Sequence, residues 1–513
     1  MPDRLASSRF WGGYFEGDDT GYGQALYPVP ADDPNDPLQW SNTRKTLILV
    51  VCSLYSFLSN SALLGPSVYI GIYAEEFNIS PNVASNLVSY ANLAFGFGSL
   101  LLVPAYHKFG RRPVMLGSLI AVTSYEGLMA ARVIHAFGSS VCEALPVQLV
   151  NDIFFLHERG KRLGYYTVCL CFGATGPLYA GYMLAGGYSW RLFFYVEFAF
   201  GCALAILAFF VVEETMYHRK PPVESIPESS SSQHDDEKTS AVAEDFAPST
   251  VVPQRKTFLQ TLKFWGAYDK DTQFFLMIAR SFTYFLVPHV LWVITTYGIY
   301  IGLGALAFNY TFPLKITAPP YNWSQTSSGL IAVASFLGYL LAIPFTASSD
   351  RLAAHLTRKN NGIREAEMRL GVMLPVMLLA PAGLIVYGFA AERDLPWVAY
   401  FAGVVMTNFT SYFYFTFTLA YAIDSYTANI SEMLIAMNLG KQAISFGMGL
   451  DLLNWVLQHG YAVMIAGVFC AILLMNNLAL LVFMLWGKKI RRFMATTWLA
   501  RVHKDSVREI ATH

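Results

Sequence analysis

Residues Ala84–Pro113 read ASNLVSYANLAFGFGSLLLVPAYHKFGRRP, and how this stretch is read decides the fold. No charged side chain occurs from 84 to 106, which is long enough for a helix crossing a hydrocarbon core, a span of about 20 mostly apolar residues. The apolar run stops at His107, Lys108, Gly110, Arg111 and Arg112. A basic turn at the end of an apolar helix predicts that the turn faces the cytoplasm. Gly110 permits the tight turn, and the arginines can bond the carbonyls of helix ends.

Scanning outward for further runs predicts helices at approximately 46–72, 84–106, 113–124, 128–150, 164–186 and 191–212, then 285–312, 328–347, 371–391, 397–420, 432–456 and 461–486. The fold class is therefore all-α integral membrane, with about twelve transmembrane helices in two six-helix bundles. Composition agrees: 54% of the 513 residues are hydrophobic and 14% charged, against about 25% charged in a soluble protein. Acidic and basic residues balance at 35 each, so no overall field attracts nucleic acid. All six cysteines (Cys52, Cys142, Cys169, Cys171, Cys202 and Cys470) lie in apolar runs and read as small core or lipid-facing residues rather than zinc ligands or disulfides. On a helix, Cys169 and Cys171 point about 200° apart.

The expected organisation is a cytoplasmic N-terminal segment 1–45, a first bundle 46–213, a disordered cytoplasmic linker 214–272, a second bundle 273–487 and a cytoplasmic tail 488–513. The first segment holds Asp18, Asp19, Asp32, Asp33 and Asp36 with no early apolar core, so no cleavable signal peptide is expected. The linker contains Glu228-Ser-Ser-Ser-Ser-Gln-His-Asp-Asp-Glu-Lys238, too polar to pack a core. One helix is short: from Pro113 to Ser124-Tyr-Glu-Gly127 there are about 11 residues, or ~17 Å of helix.

Orientation follows from the short loops. Lys108, Arg111 and Arg112, then Arg159, Lys161 and Arg162, then Arg351, Arg358, Lys359, Arg364 and Arg369, and finally Lys488, Lys489, Arg491 and Arg492 all fall on one side. The other side receives little beyond Arg191, Lys315 and Arg393, so both termini are expected in the cytoplasm. The sequons at Asn78 and Asn322 fall in outer loops and predict glycosylation, whereas the one at Asn429 falls inside.

Pro104-Ala-Tyr-His-Lys-Phe-Gly-Arg-Arg-Pro113 resembles the loop signature of the major facilitator superfamily, with His107 where that family often places an acid. Gly173-Ala-Thr-Gly-Pro-Leu-Tyr-Ala-Gly181 is similar to the Gly-Pro motif of proton-coupled drug antiporters, with Ala180-Gly181 in place of two glycines. Gly173, Pro177, Gly181 and Ala185 recur every four residues and would form one smooth face, with Pro177 bending the helix; Gly176 lies beside them. A packing seam is the alternative meaning of this motif.

Asp33-Pro-Asn-Asp-Pro-Leu-Gln-Trp-Ser41, Phe155-Leu-His-Glu-Arg-Gly160 and Arg358-Lys-Asn-Asn-Gly-Ile-Arg-Glu-Ala-Glu-Met-Arg-Leu370 extend the resemblance over nearly the whole chain. They resemble a fungal branch of the drug:proton antiporter family, close to polyamine and organic-cation carriers. The short third helix departs from it.

Charge inside a bilayer costs at least about 2.5–3.5 kcal/mol per residue, so buried ionisable groups are functional candidates. Arg132 and Glu143 lie eleven positions apart on the fourth helix, within about 20° of one face and ~16 Å apart along it. Arg132 also occupies the place of an arginine that the resemblance implicates in proton coupling. Glu143 is the first candidate for a proton or a cationic substrate, since burial raises a carboxyl pKa and a bound cation lowers it; a structural carboxylate is the alternative.

Glu197, His289 and Asp451 are further candidates, with Lys441 ~15 Å from Asp451 along the helix. Asp152, Asp350, Arg351, Asp424 and Glu432 read as gate or loop anchors. The aromatic residues Phe409, Tyr412, Phe413, Tyr414, Phe415 and Phe417 crowd the tenth helix, where some can form a cation-accepting wall.

The function expected is a secondary transporter of the plasma membrane exporting an amphipathic or cationic small molecule against protons. Its predicted partners are substrate, protons and the bilayer, with no nucleic acid, and the chain is expected to be monomeric. No Gly-x4-Gly-Lys-Ser/Thr or His-x-x-Glu-His pattern occurs, so no ATP-driven or enzymatic function and no cofactor or metal is expected. A proton-coupled importer of polyamines or organic cations, and a non-transporting sensor or inactive paralogue, are the alternatives.

Overall fold

The structure, a computed structural model, describes residues 33–122, 128–217, 256–263, 273–346, 348–360, 365–425, 430–499 and 502. The acidic residues Asp18, Asp19 and Asp32, the 124–127 turn, most of the expected linker including 228–238, Arg364, the Asn429 sequon and the end of the tail lie outside those residues.

Among the described residues, nine helices are long and apolar enough to cross a membrane. In chain order with three others they are α1 (Asn42–Glu76), α2 (Pro81–Phe109), α3 (Arg111–Val122), α4 (Leu128–Ile153), α5 (Arg162–Ala185), α6 (Arg191–Val211), α7 (Pro288–Thr317), α8 (Thr326–Phe345), α9 (Ala366–Glu392), α10 (Trp397–Ser425), α11 (Ile430–His459) and α12 (Ala462–Ala495). The three outside the nine fall short for different reasons. α3 has only 12 residues, about 18 Å, as its sequence predicts. α10 and α11, of 29 and 30 residues, are long enough but carry tyrosines and threonines, or Glu432, Asn438, Lys441 and Asp451.

Local chemistry sets the helix ends. Ser80 caps α2 by accepting from the Val83 N–H (3.3 Å) with Pro81 in the first turn, where the missing proline donor costs nothing. Gly110, at φ +101°, ends α2 in a conformation that only glycine adopts freely. The Asp33–Ser41 motif folds onto the end of α6: Asp33 accepts from the Asn35 N–H (2.9 Å) and from the Tyr217 hydroxyl (3.0 Å), and Arg44 pairs with Glu213. Asp33 lies outside the membrane. Slight burial acts to raise its pKa, but these hydrogen bonds and Lys256 outweigh it and hold the carboxyl below its usual value.

α12 runs on through Lys488, Lys489, Arg491 and Arg492, residues expected in the tail. Arg491 is buried there, with its guanidinium 2.7 Å from Glu367, which explains why the helix does not end with its apolar run. All six cysteines are free.

The two sets of helices meet chiefly where α2 runs along α11 and where α5 meets α8. Hydrogen bonds join the sets near both ends. At the basic end His107 Nε2 lies 2.6 Å from the Ser431 hydroxyl. At the opposite end the Asn82 amide donates to the Leu450 carbonyl (3.0 Å), and the Ser89 and Tyr310 hydroxyls lie 3.3 Å apart. α6 and α12 are peripheral, turning Phe200, Ile206, Phe210, Met475 and Leu485 outward, as lipid-facing helices do.

Candidate functional site

Between these two joined ends lies a cavity of about 100 Å³, room for several waters. It is lined from both sets by Glu143, Asn92 and Tyr166, and by Tyr297, Asn438, Lys441 and Gln442.

Glu143 reaches it because α4 is not continuous. Residues Ser140–Cys142 form a tighter 3-10 turn, and the helix restarts at Ala144. Hydroxyls of neighbouring helices satisfy the carbonyls loosened by this break: Ser56 donates to Cys142 O (2.6 Å), and Tyr166 donates to both Cys142 O and Glu143 O (3.1 Å each). Across the cavity, Lys441 Nζ on α11 donates to Glu143 Oε2. The ammonium also lies 5.3 Å from the Tyr297 ring centroid, within cation–π range.

Lys441 is 2% exposed and Glu143 18%. In such surroundings a charge is kept only with its partner. The Nδ2 atoms of Asn92 and Asn438 and Oε1 of Gln442 are buried with no hydrogen-bond partner among the described residues. Native proteins leave few such groups unpaired, and these three face a space large enough for water or a small polar ligand.

The structure does not bring Arg132 into this cavity with Glu143. Arg132 is buried, and its guanidinium donates to Ala62 O (2.5 Å), Leu63 O (2.7 Å) and Leu87 O (3.2 Å). The predicted common face assumed an unbroken helix, and the 3-10 turn between the two residues removes that register. Asp451 is exposed, accepting from the Asn454 amide (3.3 Å); Lys441, ten residues earlier and so about 80° round the helix, goes to Glu143 instead. His289 is buried between the Tyr421 and Phe483 rings, 5.6 and 5.0 Å away, and does not line the cavity. Glu197 is buried on α6 in a separate hydroxyl-lined pocket with Ser61 and Tyr179. Of the aromatic cluster on α10, Phe415 lines the cavity.

The loop residues form a network at the basic end. The Arg111 N–H and Arg112 N–H donate to Glu214 (3.0 and 3.3 Å), which places a carboxylate on the N-terminus of α3, where the helix dipole favours it. Asp152 accepts from Arg111 Nε (3.2 Å), the Gln148 amide (3.0 Å) and the Thr215 hydroxyl (3.0 Å). Glu214, which the sequence assigned to the linker, thus holds the arginines that lack an acid at 107. Its position directly after an apolar run and another glutamate was the available signal.

Glu214→Gln is expected to lower the thermal unfolding midpoint of the detergent-solubilised protein by about 2 °C; an unchanged midpoint would remove this role. Asp424 pairs with Arg369, and Glu432 lies 3.9 Å from Arg280. Arg351 sits on the short helix Ser348–Lys359; the side chain of Asp350 is outside the described residues.

The Gly-Pro motif serves two neighbours rather than one. Side chains added at Gly173 and Gly176 would strike α1, at Asn60 Cβ (2.7 Å) and the Ser61 carbonyl. One at Gly181 would meet Thr326 O of α8 at 2.9 Å, and the Pro177 carbonyl lies against Gly329. The 3-10 turn Gly173–Thr175 rotates the two faces apart, so the predicted single stripe is split. Asn78 and Asn322 both adopt φ +51° in turns at the end opposite the basic loops.

Residues 49–450 match the Major Facilitator Superfamily. An uncharacterized MFS-type transporter of Schizosaccharomyces pombe is 23% identical, covering 92% of this chain and 88% of its own. A probable drug/proton antiporter of Saccharomyces cerevisiae is 24% identical over 77% of this chain and 74% of its own. Among solved structures, a proton:xylose symporter, XylE, superposes with a TM-score of 0.56 at 13% identity, covering 87% of this chain and 97% of that one.

Proposed function

The chain belongs to the major facilitator superfamily and is a multi-pass membrane transporter, and from that premise we propose that it is a proton-coupled antiporter exporting a small amphipathic or cationic molecule by alternating access. The observation that carries this reading is the Glu143–Lys441 pair, shared between the two sets of helices inside the cavity. While the pair is intact it ties the sets together. A substrate cation that takes over Glu143 releases the tie on one side, and its binding energy offsets part of the cost of separating the charges. Tyr297 and Phe415 supply apolar and π surface beside that point, suited to an amphipathic body.

The moving units in this reading are 46–213 and 273–487, joined by 214–272 in the cytoplasm. Both termini are cytoplasmic, the membrane is the plasma membrane, and the chain acts as a monomer. Asn78 and Asn322 then face outside, open to glycosylation.

The test uses sealed vesicles of purified protein with an imposed pH gradient and labelled spermidine, tetraphenylphosphonium and a neutral hydrophobic compound. Gradient-dependent flux of one probe at least tenfold above protein-free vesicles is expected. If folded protein moves none of the three, the transport reading fails.

A further inference from the structure

We propose that the coupling proton is carried by Glu197, in a pocket separate from the Glu143–Lys441 pair; this rests on the antiport reading above. A carboxylate in a membrane interior binds a proton most readily where no cation pairs directly with it. Glu143 fails that criterion, because Lys441 already occupies it. Glu432 lies beside Arg280, Glu367 binds Arg491, and Asp424 binds Arg369. Glu197 meets it. It is 6% exposed, and its hydrogen-bond donors are neutral hydroxyls: Ser61 of α1 donates to Oε1 at 3.1 Å, and Tyr179 of α5 donates to the same oxygen. Oε2 is buried with no hydrogen-bond partner.

A carboxyl oxygen bonded to no cation or donor is the place where an added proton removes a charge without breaking a hydrogen bond. Protonation converts the carboxylate to a neutral acid with its O–H on Oε2; release restores the charge and returns one proton to solvent.

The groups facing this pocket fit such a cycle. From α4, Arg132 acts on Glu197 by charge, while its donors stay on backbone carbonyls. It can therefore offset the transient carboxylate without forming a pair that would hold it. Tyr179 of α5, with Tyr69 of α1 beside it, faces Glu197 on one side, and Tyr73 of α1, Tyr310 of α7 and His135 of α4 lie within the reach of Arg132.

The pocket also touches the moving parts. Ser61 lends its backbone carbonyl to the Gly176 contact, and Tyr179 lies between Pro177 and Gly181, which rest on Gly329 of α8. A change of charge at Glu197 thus reaches the seam between the two sets within one helical turn.

Infrared difference spectra of the purified full-length protein at neutral pH test the assignment without a substrate. A protonated-carboxyl C=O stretch is expected in the wild type, lost in Glu197→Gln and retained in Glu143→Gln. Glutamine keeps the acceptor oxygen for Ser61 and Tyr179. A spectrum unchanged by Glu197→Gln overturns the proposal.

In the vesicles, Glu197→Gln should lose at least tenfold in gradient-driven accumulation of the transported probe while equilibrium binding changes less than about twofold; Glu143→Gln should lose binding itself. Undiminished gradient-driven accumulation in Glu197→Gln also overturns it. If the wild type moves none of the three probes, it is the transport reading that falls, and the infrared result still decides whether Glu197 holds the proton.

Discussion

Replacing Glu143 with Gln is expected to lower gradient-driven flux at least 100-fold, and Lys441→Met is expected to do the same. Each substitution leaves the opposite charge buried and alone, a cost of about 3–5 kcal/mol for a pair in an apolar setting. Lys441 is the more enclosed of the two, so Glu143→Gln should carry the larger penalty in stability as well, because it strands the ammonium beside Tyr297. The double variant Glu143→Gln/Lys441→Met removes both charges. It should recover most of the thermal stability lost by Glu143→Gln and none of the flux. That split separates a structural tie from a transport site: a tie alone would have its function restored along with its stability. Flux of Glu143→Gln within threefold of wild type would sink the assignment.

Arg132→Met should lower the unfolding midpoint by at least about 5 °C, measured on protein in detergent. It deprives the carbonyls of Ala62 and Leu63 of a side-chain donor at the point where α1 changes to a 3-10 turn at Gly65–Tyr69, and removes a second donor from Leu87 of α2. An unsatisfied buried carbonyl costs about 1–3 kcal/mol, and the two at the α1 bend are lost together. Arg132→Lys supplies one ammonium that reaches fewer of the three and should fall between. A midpoint unmoved by Arg132→Met would show that water or neighbouring groups already serve these carbonyls.

The all-α membrane fold and the short α3 were legible in the sequence, because apolar length is a local property that a bilayer reads directly. The partner of Glu143 was not. Lys441 lies 298 positions away, and no local pattern specifies which faces of α4 and α11 meet. The common face expected for Arg132 and Glu143 failed for a different reason: eleven residues of ideal helix were assumed across Ser140–Cys142, which form a 3-10 turn. Glu214 was hidden by the boundary drawn at the end of the apolar run, which cannot distinguish a loop that leaves the protein from one that folds back onto it.

The split of the α5 glycines between two neighbours bears on how this chain can drift. Gly173 and Gly176 are closed to any side chain by α1, and Gly181 and Gly329 are closed by each other's helices. Gly117 and Gly447, by contrast, look into open space. Mutational freedom is therefore distributed by helix contact rather than by residue type, and the surfaces where α5 meets α1 and α8 admit almost no alternative spelling.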